Sequence, residues 1–366
     1  MDYCYNELID NSNDKIDEQI CSINEYLVKI KKIYKNLIES LSNDRVFFYL
    51  DELKKNQCIE IDTKNTINLI SNMLKNYKFL DMNCRNDNFT DLNNINSNTN
   101  NIKFFYRGEC SLYNLLPSIF RYKNNIDENL ILKKIISLDS NEFQNLNNCE
   151  ILTKLQHYGC PTRLLDITLN PLVALYFACK DEMNNDGYVY VFFTLDKNIL
   201  TKNNDRTTIL TCIPFLEEKN KNDLFEFCVK ELNLNHEKSW KNKELPNNTC
   251  TNHLYHLIEI ETPFEKRIRI VHLFQNFFLM PPYNNTRIER QNGAFIIAGL
   301  QNNTFNNQKY IFSELIKNDI LFKFKIPKGK KAPILKALDK LGINEQFLFP
   351  DLEHCANYYK EKYKKK

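Results

Sequence analysis

Residues 155–181 read LQHYGCPTRLLDITLNPLVALYFACKD, and this stretch decides the fold. Gly159-Cys160-Pro161 predicts a turn, because glycine tolerates positive φ and proline cannot donate to a ladder. Asn170-Pro171 predicts a helix start, with Asn170 as the cap and Pro171 at the first helical position. Val173, Ala174, Phe177 and Ala178 then recur at helical spacing. Gln156, His157, Thr162, Arg163, Asp166 and Thr168 therefore sit on the approach to a helix N-terminus, where backbone N–H groups favour an anion.

The flanking sequence alternates between strand and helix signals. Upstream, Phe104-Phe105-Tyr106 predicts an aromatic strand running into Arg107 and ending at Gly108. A charge beside three aromatics is usually paired when buried, so Arg107 bridges to Glu109 or Asp166, or grips a phosphate or carboxylate. A second arginine, Arg121, follows the apolar run at residues 115–120. Residues 126–156 read as helix, with a break at 141–148. Downstream, strands are expected at residues 188–193, 267–273 and 320–326. Residues 277–280 form an apolar run, and a buried strand follows Gly293. A helix is expected at residues 331–341, closed by Gly342, and a last one follows Asp351. The mixture predicts an α+β domain, with a mixed central sheet and flanking helices.

Composition narrows the class. With 43% hydrophobic and 26% charged residues the chain is globular. Its net charge of +3, from 49 basic and 46 acidic residues, gives no bulk case for nucleic acid. The basic run after residue 360 reads as a solvated helix end. Twelve cysteines occur without a CxxC pair or zinc spacing, so no metal is expected. His253 and His256 lack a third ligand nearby and read as surface residues. With no leader-like start and no long apolar window, the expectation is a reduced, cytoplasmic protein with no membrane partner.

Residues 1–83 read as an N-terminal helical region, residues 84–102 as an Asn-rich linker and residues 103–366 as the main domain. Ile16, Ile20, Ile23, Leu27, Ile30, Tyr34, Leu37 and Leu41 form a seam at heptad spacing within a helix expected at residues 15–42. That seam either packs on its own domain or makes a homodimer. Further helices are expected to residue 53 and over residues 63–80.

Four pieces resemble the FRG domain family, named for a Phe/Tyr-Arg-Gly motif. They are Tyr106-Arg107-Gly108-Glu109, then Leu116-Pro117-Ser118-Ile119-Phe120-Arg121. Next comes the central stretch from Gln156-His157-Tyr158-Gly159 through Asp166 to Ala178. Last is Arg287-Ile288 with Gln291-Asn292-Gly293-Ala294-Phe295. The closing Phe349-Pro350-Asp351-Leu352 fits as well. The resemblance spans residues 103–360 and implies a bacterial or phage protein, in some cases tied to defence or toxin systems.

A weaker resemblance points to ADP-ribosyltransferases. Tyr106-Arg107-Gly108 is similar to their first strand, Asp166-Ile167-Thr168 before Ala174 and Phe177 to their second, and Glu289-Arg290-Gln291 to their late Glu-x-Glu. Gln291, or in an alternative register Gly293, stands where that family has a catalytic Glu. This resemblance implies NAD as the cofactor and Arg107, His157, Thr168 and Gln291 as catalytic candidates. Glu109, Arg121, Tyr158, Thr162, Arg163, Asp166, Asn170, Arg287 and Glu289 are substrate-binding candidates. Arg107, Arg121 and Arg163 would hold a pyrophosphate. His157 and Tyr158 would meet a ring, and Glu109, Asp166 or Glu289 would supply a carboxylate. Cys160 beside His157 is a weaker nucleophile candidate. Absence of GxSxG, GxGxxG and P-loop motifs disfavours those chemistries. Three readings stand: NAD cleavage or ADP-ribosyl transfer to water or a protein target; non-catalytic recognition of a nucleotide or protein; and a helix-mediated dimer.

Overall fold

The computed structural model describes residues 18–42, 102–121, 126–233, 243–282, 285–301 and 320–364. Its centre is a sheet of seven strands: β1 (Glu18–Gln19), β2 (Ile102–Glu109), β3 (Leu164–Thr168), β4 (Gly187–Leu195), β5 (Phe277–Leu279), β6 (Gly293–Ile297) and β7 (Ile320–Ile326). They lie in the order β1-β7-β4-β2-β3-β6-β5. Every neighbouring pair is antiparallel except the two-residue β1, which adds in parallel to β7. Among the described residues thirteen α-helices surround the sheet, so the architecture is α+β.

The helix foreseen after Asn170-Pro171 is α5 (Pro171–Lys180), numbered after α1 (Ile23–Ser42), α2 (Glu128–Leu138), α3 (Ser140–Phe143) and α4 (Asn148–His157). The Asn170 side chain accepts from the Leu172 N–H at 3.0 Å, and Pro171 opens the helix. Val173, Ala174, Leu175, Tyr176, Ala178 and Cys179 are all buried. The helix can be apolar almost all round because it lies between the sheet and α11 (Lys328–Lys340). Lys331 of α11 is fully buried and donates to the carbonyls of Cys110, Asp181 and Glu182. It thereby joins the end of β2 to the end of α5.

Strand alternation sorts the two faces. Tyr106, Val189, Val191, Phe324 and Ile326 pack beneath α5 and α11. Phe105, Leu165, Ile167, Tyr190, Phe192 and Ile296 face the other way, covered by Leu115, Leu116, Ile119 and Phe120. A third core joins Leu164, Phe295 and Ile297 to α2, α4, α6 (Asp205–Cys212), α7 (Glu218–Asn233), α8 (Thr249–Glu261) and α9 (Ile270–Phe274). The remaining helices are α10 (Thr286–Arg290), α12 (Glu345–Leu348) and α13 (Leu352–Lys362).

Two expectations are corrected. Residues 267–273 do not form a strand: Arg269 makes one isolated bridge to Glu244, and Ile270–Phe274 is helical and buried. The helix expected from residue 15 begins only at Ile23, because Glu18–Gln19 pairs with β7. Ile20 and Ile23 of the heptad seam are buried in the core under α5 together with Tyr26, which is not a seam residue, while the seam residue Leu27 is exposed. Tyr26 meets the Phe324 ring edge-on and donates to the Pro171 carbonyl at 3.1 Å. Ile16, the side chains from Tyr34 onward, the two later helices and the linker up to residue 101 lie outside what is described.

Candidate functional site

Arg107 anchors the polar cluster. It lies two residues before Glu109 on β2, so both side chains emerge on one face. Its Nε and Nη2 both approach Glu109 Oε1 at 2.7 Å. Strands β2 and β3 pair only at Tyr106 and Thr168. Beyond that point Arg107 Nη1 donates to the Asp166 carbonyl and lies 4.0 Å from the Asp166 carboxylate. Burial works against the charged form of Arg107, but Glu109 and Asp166 outweigh it and raise its pKa. Arg121 backs the pair: Nη2 lies 3.9 Å from Glu109, and Nε donates to the Leu116 carbonyl.

Asp166 is the exposed member, with 62% of its side chain open to solvent. A relay positions it. Thr162 Oγ1 donates to Gln156 Oε1 at 2.6 Å, and Gln156 Nε2 donates to Asp166 Oδ2 at 3.0 Å. The same Thr162 oxygen accepts from the Leu164 N–H, which fixes the relay at the start of β3.

His157 ends α4 beside this relay. Its Nδ1 is buried without a hydrogen-bond partner, and its ring meets the exposed Tyr158 edge-on. Arg287 Nη1 reaches the His157 carbonyl at 3.5 Å. Its guanidinium lies 4.7 Å from the Phe349 ring centre. One turn on, the Arg290 guanidinium lies 5.8 Å from the Phe347 ring centre, and Nη1 donates to the Phe347 carbonyl. Neither arginine has a carboxylate within ion-pair distance among the described residues. Burial lowers the pKa of Arg287, against the opposing pull of Asp166 and Asp351. Burial, then the charge on Arg287, lowers that of His157.

Residues 102–187 match the family model for the FRG domain. The chain carries an FRG domain. The match runs from β2 to the first residue of β4 and takes in Arg107, the relay and α5. The later segments around Arg287 and Phe349 lie beyond it. No curated protein and no solved structure matches the chain.

The remaining candidates have other engagements. Arg163 is 1% exposed and forms a two-pronged pair with Glu128, whose Oε2 also takes Lys221 at 3.1 Å. Its Nη1 goes to the carbonyls of Ala298 and Gly299, so it does not join Arg107 and Arg121. Thr168 Oγ1 donates to the Gln291 carbonyl and accepts from the Asn170 N–H. The Gln291 amide donates to the Leu348 carbonyl at 3.0 Å. Asn170 and Glu289 line a separate groove with Thr286, Arg290, Asn292 and Phe347. Burial, then Glu128, raises the Cys160 thiol to about 11, which leaves it a poor nucleophile at neutral pH. His253 and His256 are exposed on α8.

Sequence reasoning quoted Arg290 and Phe349 within motifs but gave no role to them, to Phe347 or to Gln156. The arginine spacing was visible, but the aromatics beneath lie some sixty residues away. Among the described residues no group of His, Cys, Asp and Glu is arranged to hold a metal ion. None of the described helices is long and apolar enough to cross a membrane.

Proposed function

We propose that the protein binds a nucleotide-type anionic ligand through Arg287 and Arg290, and that NAD is cleaved beside Asp166 of its FRG domain. The carrying observation is the arginine pair: two guanidiniums three residues apart on α10, each over a phenylalanine ring and neither bound to a carboxylate. Side chains at that spacing have Cβ atoms about 5–6 Å apart, which suits the two phosphates of a diphosphate. The aromatic supports hold the guanidiniums in place without neutralising them.

Asp166 supplies the carboxylate that Gln291 lacks. It is exposed, held by Gln156 and close enough to influence both Arg107 and Arg287. In NAD cleavage the ribosyl C–N bond breaks and nicotinamide leaves with the bonding electrons. An oxygen of water or of a target bonds to the ribose carbon, and its proton passes to Asp166 and then to solvent.

The test is calorimetric titration of the whole chain with ADP-ribose and with inorganic pyrophosphate, alongside an assay of nicotinamide release from NAD. Both ligands should bind, and Arg287→Ala should weaken both by about tenfold or more. Failure of wild-type protein to bind either ligand would remove the reading. A second reading, recognition without turnover, is favoured by Gln291, whose amide is engaged by Leu348. It predicts binding with no release of nicotinamide.

A further inference from the structure

The groove beside α10 has a volume of about 470 Å³, within the roughly 300–1,000 Å³ usual for small-molecule sites. Arg290 belongs both to this groove and to the arginine pair. A diphosphate resting on Arg287 and Arg290 therefore carries one of its substituents over the groove. We infer that the groove takes the nucleobase of that ligand, an amino-bearing base of the adenine type; the inference rests on the anion-binding reading above.

The lining favours a neutral, flat group with a donor and acceptor edge. Phe347 is partly exposed and offers a ring face for stacking. The oxygen of the Asn170 side chain is taken by the Leu172 N–H, so its amide N–H groups remain to donate. Asn292 sits at φ +44°, in the left-handed region that asparagine tolerates, and lines the groove. Its amide combines a donor and an acceptor, the pair that matches the N6 and N7 edge of adenine. Glu289 lies in the same wall. Its carboxylate disfavours another phosphate there and can accept from an exocyclic amino group. The side chains of Thr286, Glu289 and Asn292 make no hydrogen bond to other described residues.

The experiment compares ADP with inorganic pyrophosphate on the full chain by calorimetry. ADP should bind about tenfold more tightly than pyrophosphate, since only ADP fills the groove. Asn292→Gly should weaken ADP about tenfold and leave pyrophosphate within about twofold. Asn292→Gly keeps a residue that accepts positive φ, and Asn292 touches neither arginine of the pair, so the backbone and the anion site are preserved. Equal affinity of wild type for the two ligands, or an Asn292→Gly variant that shifts both alike, would overturn the base site while the anion site stands. If neither ligand binds wild type, the anion site falls and the base site with it.

Discussion

The carbonyl oxygen of Ala174 occupies the place a side chain on Gly108 would need: a Cβ there would fall 1.8 Å from that oxygen and 2.6 Å from the Ala178 nitrogen. The glycine of the Tyr-Arg-Gly motif is thus a contact between β2 and the backbone of α5, one residue from Arg107. Gly108→Ala must lift α5 off the sheet, and overpacking of this kind costs about 1–3 kcal/mol, with more expected where both partners are backbone. Urea unfolding followed by circular dichroism should show a lower midpoint at unchanged slope. A variant as stable as wild type would show that α5 does not lie on β2 as described.

Glu128 is buried between Arg163 and Lys221. Burial alone would raise its pKa, but the two cations outweigh it and hold the carboxyl at about 2. The folded pKa is depressed, so this contribution is complete above the ordinary value of 4.5 and is lost as pH falls towards about 2. Replacing the carboxylate with an amide leaves Arg163 buried without a counter-charge and Lys221 with only Glu218, 3.9 Å away. Glu128→Gln should therefore cost about 3–5 kcal/mol near neutral pH. Its acid limb should also be flatter than that of wild type. Parallel acid limbs for the two proteins would contradict the assignment.

Local chemistry was legible in the sequence, and long-range chemistry was not. Asn170-Pro171 announces α5 because cap and first-turn preferences act within three residues. The apolar run at residues 320–326 becomes β7. The alternation at residues 267–273 misled because burial on α9 overrides a weak strand preference. Arg107 and Glu109, two apart on a strand, share a face and pair as read. Arg163 and Asp166, three apart along an extended segment, point to opposite sides, and Arg163 finds Glu128 instead. The arginine pair of α10 has meaning only once Phe347 and Phe349 lie beneath it.

His157 provides a pH test of the proposed ligand site. Its pKa is lowered from 6.5 by burial and by Arg287, so the ring is neutral at pH 7. With the folded pKa depressed, its contribution to stability is present above 6.5 and is lost as pH falls through the folded value. An anion on Arg287 cancels part of the repulsion and raises the proton affinity of His157. Binding is then linked to proton uptake. The affinity for ADP-ribose should rise as pH drops from about 8 to about 6, and His157→Gln should flatten that rise. Affinity independent of pH in wild type would sever His157 from the site.

Asp166 separates binding from chemistry. Its carboxylate is exposed, and Gln156 orients it through an amide that Asp166→Asn can still engage by an alternative hydrogen bond. The substitution removes a charge and a proton acceptor while leaving the arginine pair intact. General-base contributions are worth about 10²–10⁴ in rate. Asp166→Asn should therefore retain ADP-ribose affinity within about twofold while nicotinamide release falls by that larger factor, a loss in kcat rather than KM. The relay gives a finer check. Gln156→Leu withdraws the bond that aims Asp166 and should lower kcat by a smaller factor, about 10-fold for a misplaced group. Undiminished release from Asp166→Asn would move the chemistry elsewhere. A wild-type chain that binds ADP-ribose and releases no nicotinamide would make the domain a reader of the nucleotide, with Asp166 serving only to hold Arg107.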